Sequence, residues 1–313
     1  MHRDAAVRHG NDGGRALLAP SSVDGFGTDA LVRSRIPGTS PWALAAPRIV
    51  AGLASHADPV LVSAPPGGGK EMVARLVHEA SSRAGRPFVV LPAHGFSEPV
   101  LRSVLFEAPA TLPSSIRSLR REYAERAVGG TIYVADLAEL SGRATGYVAE
   151  FVSGRSSDHA RRRLLAECDV RIIFGTSADV PRSANERAVV RIPALVERPG
   201  DIAPLAELFV ASLCSRLGRE ARALDARAVE ALEQHPWPGN VGELKRVVEA
   251  AVRRAGPPSI GLALLPSQIT RDISVDDPAD VVASGIVLHE EVERFERRLL
   301  AAALARGAGV QTR

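Results

Sequence analysis

The sequence predicts an α/β chain: a parallel sheet flanked by helices, followed by a small all-α domain and a C-terminal helix. Three observations predict it. Between Ile36 and Leu195, short apolar runs alternate with helical patterns. The runs are rich in β-branched residues and apolar on both faces, as parallel strands buried under helices are. From about Glu197 onward only helical periodicity remains.

Residues 1–35 carry no sustained periodicity and are expected to form a flexible arm. Strands are expected over 59–63, 87–91, 131–135, 170–174 and 189–192, with helices between them, as in a doubly wound sheet. Ligands of such sheets bind at the carboxyl ends of the strands. In the helical part, Ile202, Leu205, Ala206 and Phe209 mark one helix. Ala228, Val229 and Leu232 mark a second, and Val241, Leu244, Val247, Val248 and Val252 a third. Pro257, Pro258 and the stretch 276–278 interrupt the chain. A final amphipathic helix carries Leu288, Val292, Phe295, Leu299 and Leu300 on one face and ends at Gly307. The expected divisions are 1–35, 36–195, 196–257 and 258–313.

Composition bounds the function. Hydrophobic residues make up 45% of the 313, ample for a core, and aromatics only 4%, so the core is aliphatic. A formal charge of +3 is too mild to argue for nucleic acid. Arg161, Arg162 and Arg163 form the single basic triplet, a solvated helix end or a phosphate contact. Cys168 and Cys214 have no metal-ligand spacing and are expected to be reduced, in a cytoplasmic protein. No run approaches the roughly 18 apolar residues of a membrane span. The N-terminus shows no apolar segment of the signal-peptide kind.

Lysine is scarce here. Only two of the 39 Lys+Arg residues are lysines, Lys70 and Lys245; the rest are arginines. A lysine in such a chain points to a need for a compact ammonium rather than a guanidinium fork. Lys70 follows the run Val60-Leu61-Val62 and the loop Ala64-Pro65-Pro66-Gly67-Gly68-Gly69, and it precedes the helical pattern Met72, Val73, Leu76, Val77. Strand, glycine loop, lysine and helix is the order of a phosphate-binding loop. Its backbone N–H groups cradle phosphate and its lysine reaches the β/γ oxygens. The candidate nucleotide-binding residues are Pro66, Gly67, Gly68, Gly69, Lys70 and Glu71. The competing reading is a glycine-rich turn without a ligand.

Five segments carry a resemblance to a known family. They are Ile36-Pro37-Gly38-Thr39-Ser40-Pro41; Gly69-Lys70-Glu71-Met72-Val73-Ala74-Arg75 ending in His78-Glu79; and Gly129-Gly130-Thr131-Ile132-Tyr133-Val134. The fourth is Arg191-Ile192-Pro193-Ala194-Leu195-Val196-Glu197-Arg198 with Asp201-Ile202, and the fifth Trp237-Pro238-Gly239-Asn240-Val241-Gly242-Glu243-Leu244. In this order they resemble the AAA+ ATPase domain of sigma-54-dependent transcriptional activators, the bacterial enhancer-binding proteins. The resemblance implies a P-loop AAA+ parallel sheet with an α-helical lid. It implies ATP with Mg²⁺ as cofactors, self-association into a ring, and a surface loop that contacts sigma-54 RNA polymerase.

The chain departs from the family at the positions that spend ATP. The loop's first Gly is Ala64, and Pro65 and Pro66 each remove a backbone donor. The Walker B Asp-Glu is Ala135-Asp136. Asp136 is the candidate catalytic carboxylate, about one methylene shorter than Glu, and a misplacement near 1 Å costs on the order of 100-fold in rate. Its other readings are a metal carboxylate, a strand-end cap and an arginine partner. The sensor Asn is Ser177 in Thr176-Ser177. The arginine-finger segment is shortened, with Arg182 and Arg187 left as surface arginines or a displaced finger. The lid arginine is Gly242, with Arg246 one turn on. Between the landmarks Leu105-Phe106 and Gly129-Gly130, the sigma-contacting loop reads Thr111-Leu112-Pro113-Ser114-Ser115-Ile116, without the family's aromatic tip and glycines. The helix over 289–306 and its tail resemble the start of a Fis-like helix-turn-helix, with no DNA-reading helix following in this chain.

Three functional readings stand. The first is an ATP-binding regulatory module in transcription with weak or absent hydrolysis and impaired sigma-54 engagement. The second is a working sigma-54 activator ATPase, and the third a nucleotide-independent interaction module.

Overall fold

The computed structural model describes residues 25–97, 99–101, 104, 113–137, 148, 152, 169–178, 180, 188–220, 222–254 and 259–270. Two helices, α1 (Gly25–Arg35) and α2 (Pro41–Ala54), precede the first strand β1 (Val60–Ser63). Then come α3 (Lys70–Glu79), β2 (Phe88–Pro92), α4 (Ser114–Arg126), β3 (Thr131–Ala135), β4 (Arg171–Thr176) and β5 (Val189–Arg191). The five strands form one sheet in the order β2-β3-β4-β1-β5, and every pair is parallel. The five expected strands are all present.

Each strand feeds two cores because its alternate residues point to opposite faces. Ile172 and Phe174 of β4 join Leu61, Leu91, Val134 and Val189 on one face. Ile173 joins Val60, Val62, Tyr133 and Val190 on the other, under Val73, Leu76 and Val77 of α3 and Ala46 and Val50 of α2. Register aligns the carboxyl ends: Val134 lies beside Phe174, and Ser63 beside Thr176. The loops after β1, β3 and β4 therefore leave the sheet together.

Two expectations need correction. Residues 25–35, expected as part of the arm, form α1. Thr28, Val32 and Ile36, spaced by four, are all buried, and the polar first member hides the apolar stripe in the sequence. The second concerns the helical part, which carries α5 (Ile202–Arg216), α6 (Ala226–Gln234), α7 (Asn240–Arg254) and the short α8 (Ser267–Thr270). It also carries two two-residue strands, β6 (Ala223–Leu224) and β7 (Ser259–Ile260), paired in parallel. Segments that short leave no periodicity to detect.

The described residues fall into two compact units. One comprises those up to Leu208 together with Trp237–Glu243; the other comprises Phe209–Pro236 and those from Leu244 on. The second unit is held by Val210, Leu213, Leu232, Val248, Val252 and Ile260, all buried. Asp225 caps α6 by accepting the Ala228 N–H at 2.6 Å. Among the described residues, no helix is long and apolar enough to cross a membrane.

Candidate functional site

The loop after β1 starts under tension-free support: the Ala64 N–H donates to Thr176 O at 3.1 Å, and the Gly68 N–H to Pro65 O at 2.9 Å. Gly67 (φ 72°) and Gly69 (φ 100°) are left-handed, where a Cβ is strained. Gly67 also lies against Gly239, whose carbonyl fills the place its Cβ would take.

The loop carbonyls are turned outward and tethered. Asn240 Nδ2 donates to Pro66 O at 3.0 Å, and the Gly242 N–H to Gly67 O at 3.0 Å. Arg198 Nη2 lies 3.4 Å from Gly68 O. The amides are left for something else. Among the described residues, the N–H groups of Gly67, Gly69, Lys70 and Glu71 have no hydrogen-bond partner. Lys70 to Glu71 also open α3, so the positive end of its dipole adds to the cradle. The sequence-predicted residues Gly67 to Glu71 are thus brought together in one loop and helix start. Pro66, which has no N–H, serves as an anchor point for Asn240 instead.

Lys70 is 8% exposed. Its Nζ lies 3.4 Å from Ala64 O and 3.6 Å from Asp136 Oδ1. Asp136 stands one residue beyond β3 in a left-handed conformation (φ 57°), half exposed. Ala135, at the end of β3, brings no ligand atom. The Glu71 carboxylate accepts from Arg75 at 2.7 and 3.0 Å, so this residue serves the cradle through its backbone.

The donor set beside the loop is one of amides and an ammonium. No group of three or more His, Cys, Asp or Glu that could hold a metal ion exists among the described residues. The two carboxylates near the cradle face Lys70 and Arg75. Four amides without partners among the described residues and a buried ammonium fit a phosphate group.

Several residues of the family segments make contacts around the loop that the sequence reading did not assign. Asn240 (φ 52°, 4% exposed) accepts the Leu195 N–H at 2.8 Å through Oδ1 while its amide nitrogen holds Pro66. Asp201, fully buried, accepts from Ser40 N at 3.0 Å and Ser40 Oγ at 2.7 Å, and lies 3.7 Å from Arg198 Nη1. Burial holds the Arg198 guanidinium below its usual pKa, against the pull of Asp201. Ser40 in turn caps α2 by accepting the Ala43 N–H at 3.1 Å. A buried line thus runs from the start of α2 through Asp201 and Arg198 to Gly68. Tyr133 inserts its hydroxyl against Gly175, which must lack a Cβ to admit it. Burial first, then the charges of Asp136 and Glu71, raise the Tyr133 phenol well above its usual range, so it stays protonated.

Other expected positions fall as follows. Thr176 is fully buried and its Oγ1 accepts the Ala178 N–H at 3.1 Å, capping its own strand. Ser177 is half-buried beside it. Gly242 meets Gly67 through its backbone, and Arg246 is exposed on α7 in the second compact unit. Ser114, Ser115 and Ile116 form the first turn of α4, and Ile116 packs on the core. Leu105-Phe106, Thr111, Leu112, Arg161 to Arg163, Cys168, Arg182, Arg187, the arm up to residue 24 and the helix over 289–306 lie outside the described residues.

A profile of the sigma-54 interaction domain matches residues 36–191, and one of the AAA+ ATPase lid domain matches residues 196–280. The C4-dicarboxylate transport transcriptional regulatory protein DctD of Pseudomonas aeruginosa is 32% identical over 269 residues, covering 82% of this chain and 55% of DctD. The Psp operon transcriptional activator of Escherichia coli K12 is 32% identical over 220 residues, covering 66% of this chain and 68% of that activator. The crystal structure of NtrX from Brucella abortus superposes with a TM-score of 0.54 at 26% identity, covering 90% of this chain and 66% of that one. A structure of the same NtrX in complex with ATP gives 0.54 at 25% identity, covering 90% and 65%. The chain spans little more than half the length of the first curated relatives it matches.

Proposed function

We propose, for a chain that belongs to the sigma-54 interaction family and carries that family's AAA+ lid, a regulatory role in transcription in which ATP or its product is bound but hydrolysed weakly or not at all. Residues 36–195 make the nucleotide-binding part, 196–257 the lid, and 258–313 a linker and helix. The single observation that carries the reading is the cradle: four unpartnered amides at Gly67, Gly69, Lys70 and Glu71 around a buried lysine. An ATP-bound relative of the same fold supports it.

The weak-hydrolysis half rests on what surrounds the cradle. An attacking water needs a carboxylate aimed at it, and Asp136 faces Lys70 instead. Ala135 supplies no metal carboxylate, and the sensor position holds Ser177, whose hydroxyl has a shorter reach than the amide of Asn. The sigma-54 half rests on Pro113 to Ile116. A contact loop needs freedom to project, whereas Ile116 is tied to the core in the first turn of α4.

The test is a titration of a fluorescent ATP analogue into the 313-residue protein and its Lys70→Ala variant, together with pull-down of sigma-54 in the presence of a metal-fluoride transition-state analogue. Saturable binding lost in Lys70→Ala, with no sigma-54 complex, is expected. A stable sigma-54 complex would favour the working-activator reading, and no binding at all the nucleotide-independent one.

A further inference from the structure

Resting on the nucleotide-binding reading above, we infer that the site selects a nucleoside diphosphate, the Asp136 carboxylate taking the place beside Lys70 that a third phosphate would need. The loop offers two kinds of positive field. The amides of Gly67, Gly69, Lys70 and Glu71 are neutral donors without partners among the described residues, a seat for one phosphate group. Among the described residues the ammonium of Lys70 is the cation beside them, and it already has Asp136 Oδ1 at 3.6 Å and Ala64 O at 3.4 Å.

A phosphate-binding lysine of this kind bridges the last two phosphates of a triphosphate. A diphosphate fits the arrangement as it stands. Its terminal phosphate enters the amide seat and shares Lys70 with Asp136, one cation between two anions. A triphosphate carries one more anionic group past the seat, toward the carboxylate. Among the described residues, no cation besides Lys70 meets that encounter. Ala135 brings no metal carboxylate, and the Glu71 carboxylate is turned to Arg75. The Arg198 guanidinium lies on the far, carbonyl side of the loop at Gly68 O.

Asp136 is also placed to stay. Its backbone is left-handed, a conformation Asp and Asn accept better than other side chains with a Cβ. Asp136→Asn therefore keeps the turn and removes only the charge.

Isothermal titration of ADP and of ATP into the 313-residue protein, in EDTA and then in Mg²⁺, reads the inference directly. The wild type is expected to hold ADP about tenfold or more tighter than ATP in EDTA, the scale of one uncompensated charge contact near the surface. Asp136→Asn is expected to narrow that gap to about threefold or less, with ATP gaining most. An unchanged melting temperature verifies that the variant is folded. ATP binding as tightly as ADP in the wild type would overturn the inference, as would a gap that persists in Asp136→Asn. So would Mg²⁺ bringing ATP level with ADP, since Asp136 would then serve the metal. If neither nucleotide binds the wild type or the variant, the nucleotide-binding reading itself fails and this inference falls with it.

Discussion

Lys70 and Asp136 approach to 3.6 Å where the carboxyl ends of the strands meet the glycine loop, the lysine buried and the aspartate half exposed. The contact joins two features that the sequence keeps 66 residues apart in separate motifs. It gives the buried ammonium a counter-charge. On the proposed reading, binding and chemistry are separated within one site.

Repairing the end of β3 separates these effects. The double variant Ala135→Asp, Asp136→Glu restores a metal carboxylate and a longer carboxylate after it. Steady-state phosphate release in Mg²⁺ is expected to rise at least about tenfold, part of the on-the-order-of-100-fold cost of a misplaced catalytic group. An unchanged rate would place the block at Ser177, Gly242 or the shortened arginine segment instead.

The carbonyls of the loop are held from outside by Asn240, Gly242 and Arg198. Asn240→Asp keeps the acceptor for Leu195 N–H but loses the donor to Pro66 O, placing a carboxylate against a carbonyl. A loss of about 1–3 kcal/mol in unfolding free energy is expected, with weaker nucleotide binding, read by urea denaturation and by titration. Stability equal to wild type would mean that the tether carries no weight.

Gly67→Ala tests the close approach. The Cβ would meet the Gly239 carbonyl from a backbone at φ 72°, so both strain and overlap apply. A cost of about 1–3 kcal/mol is expected, and the melting temperature reads it. Gly69→Ala, at φ 100° with open space around it, is expected to cost less.

His78 ties α3 to β3 and sets an acid limit. Its Nε2–H donates to Arg86 O at 3.1 Å, so the Thr131 hydroxyl donates to Nδ1 at 2.9 Å. Burial lowers its pKa below the ordinary 6.5, and protonation would remove the acceptor that Thr131 uses. The folded protein then binds fewer protons than the unfolded chain between the lowered value and 6.5. Stability is fully present above about 6.5 and falls as pH drops through that window, by at most about 1.4 kcal/mol per pH unit. Urea midpoints across this range should decline with acid in the wild type and decline less in His78→Gln.

The strands were legible because burial on both faces demands unbroken runs such as Val60-Leu61-Val62 and Ile172-Ile173-Phe174. The candidate loop was legible because Lys70 stands out against arginine and follows three glycines. What was not legible has a common cause. The Asn240 to Pro66 and Arg198 to Gly68 contacts join residues 174 and 130 positions apart, and the Gly242 to Gly67 bond is backbone to backbone, leaving no side-chain trace. Helix α1 was missed because Thr28 takes a core position in an otherwise apolar stripe. The role of Gly175 depends on Tyr133 reaching it from the neighbouring strand.

The most direct test of the central claim is steady-state ATP hydrolysis by the wild type at saturating nucleotide in Mg²⁺, with occupancy measured in the same sample and Lys70→Ala as the control. Occupied sites with turnover far below about 1 s⁻¹ are predicted. Turnover of about 1 s⁻¹ or more, abolished in Lys70→Ala, would contradict the separation of binding from hydrolysis.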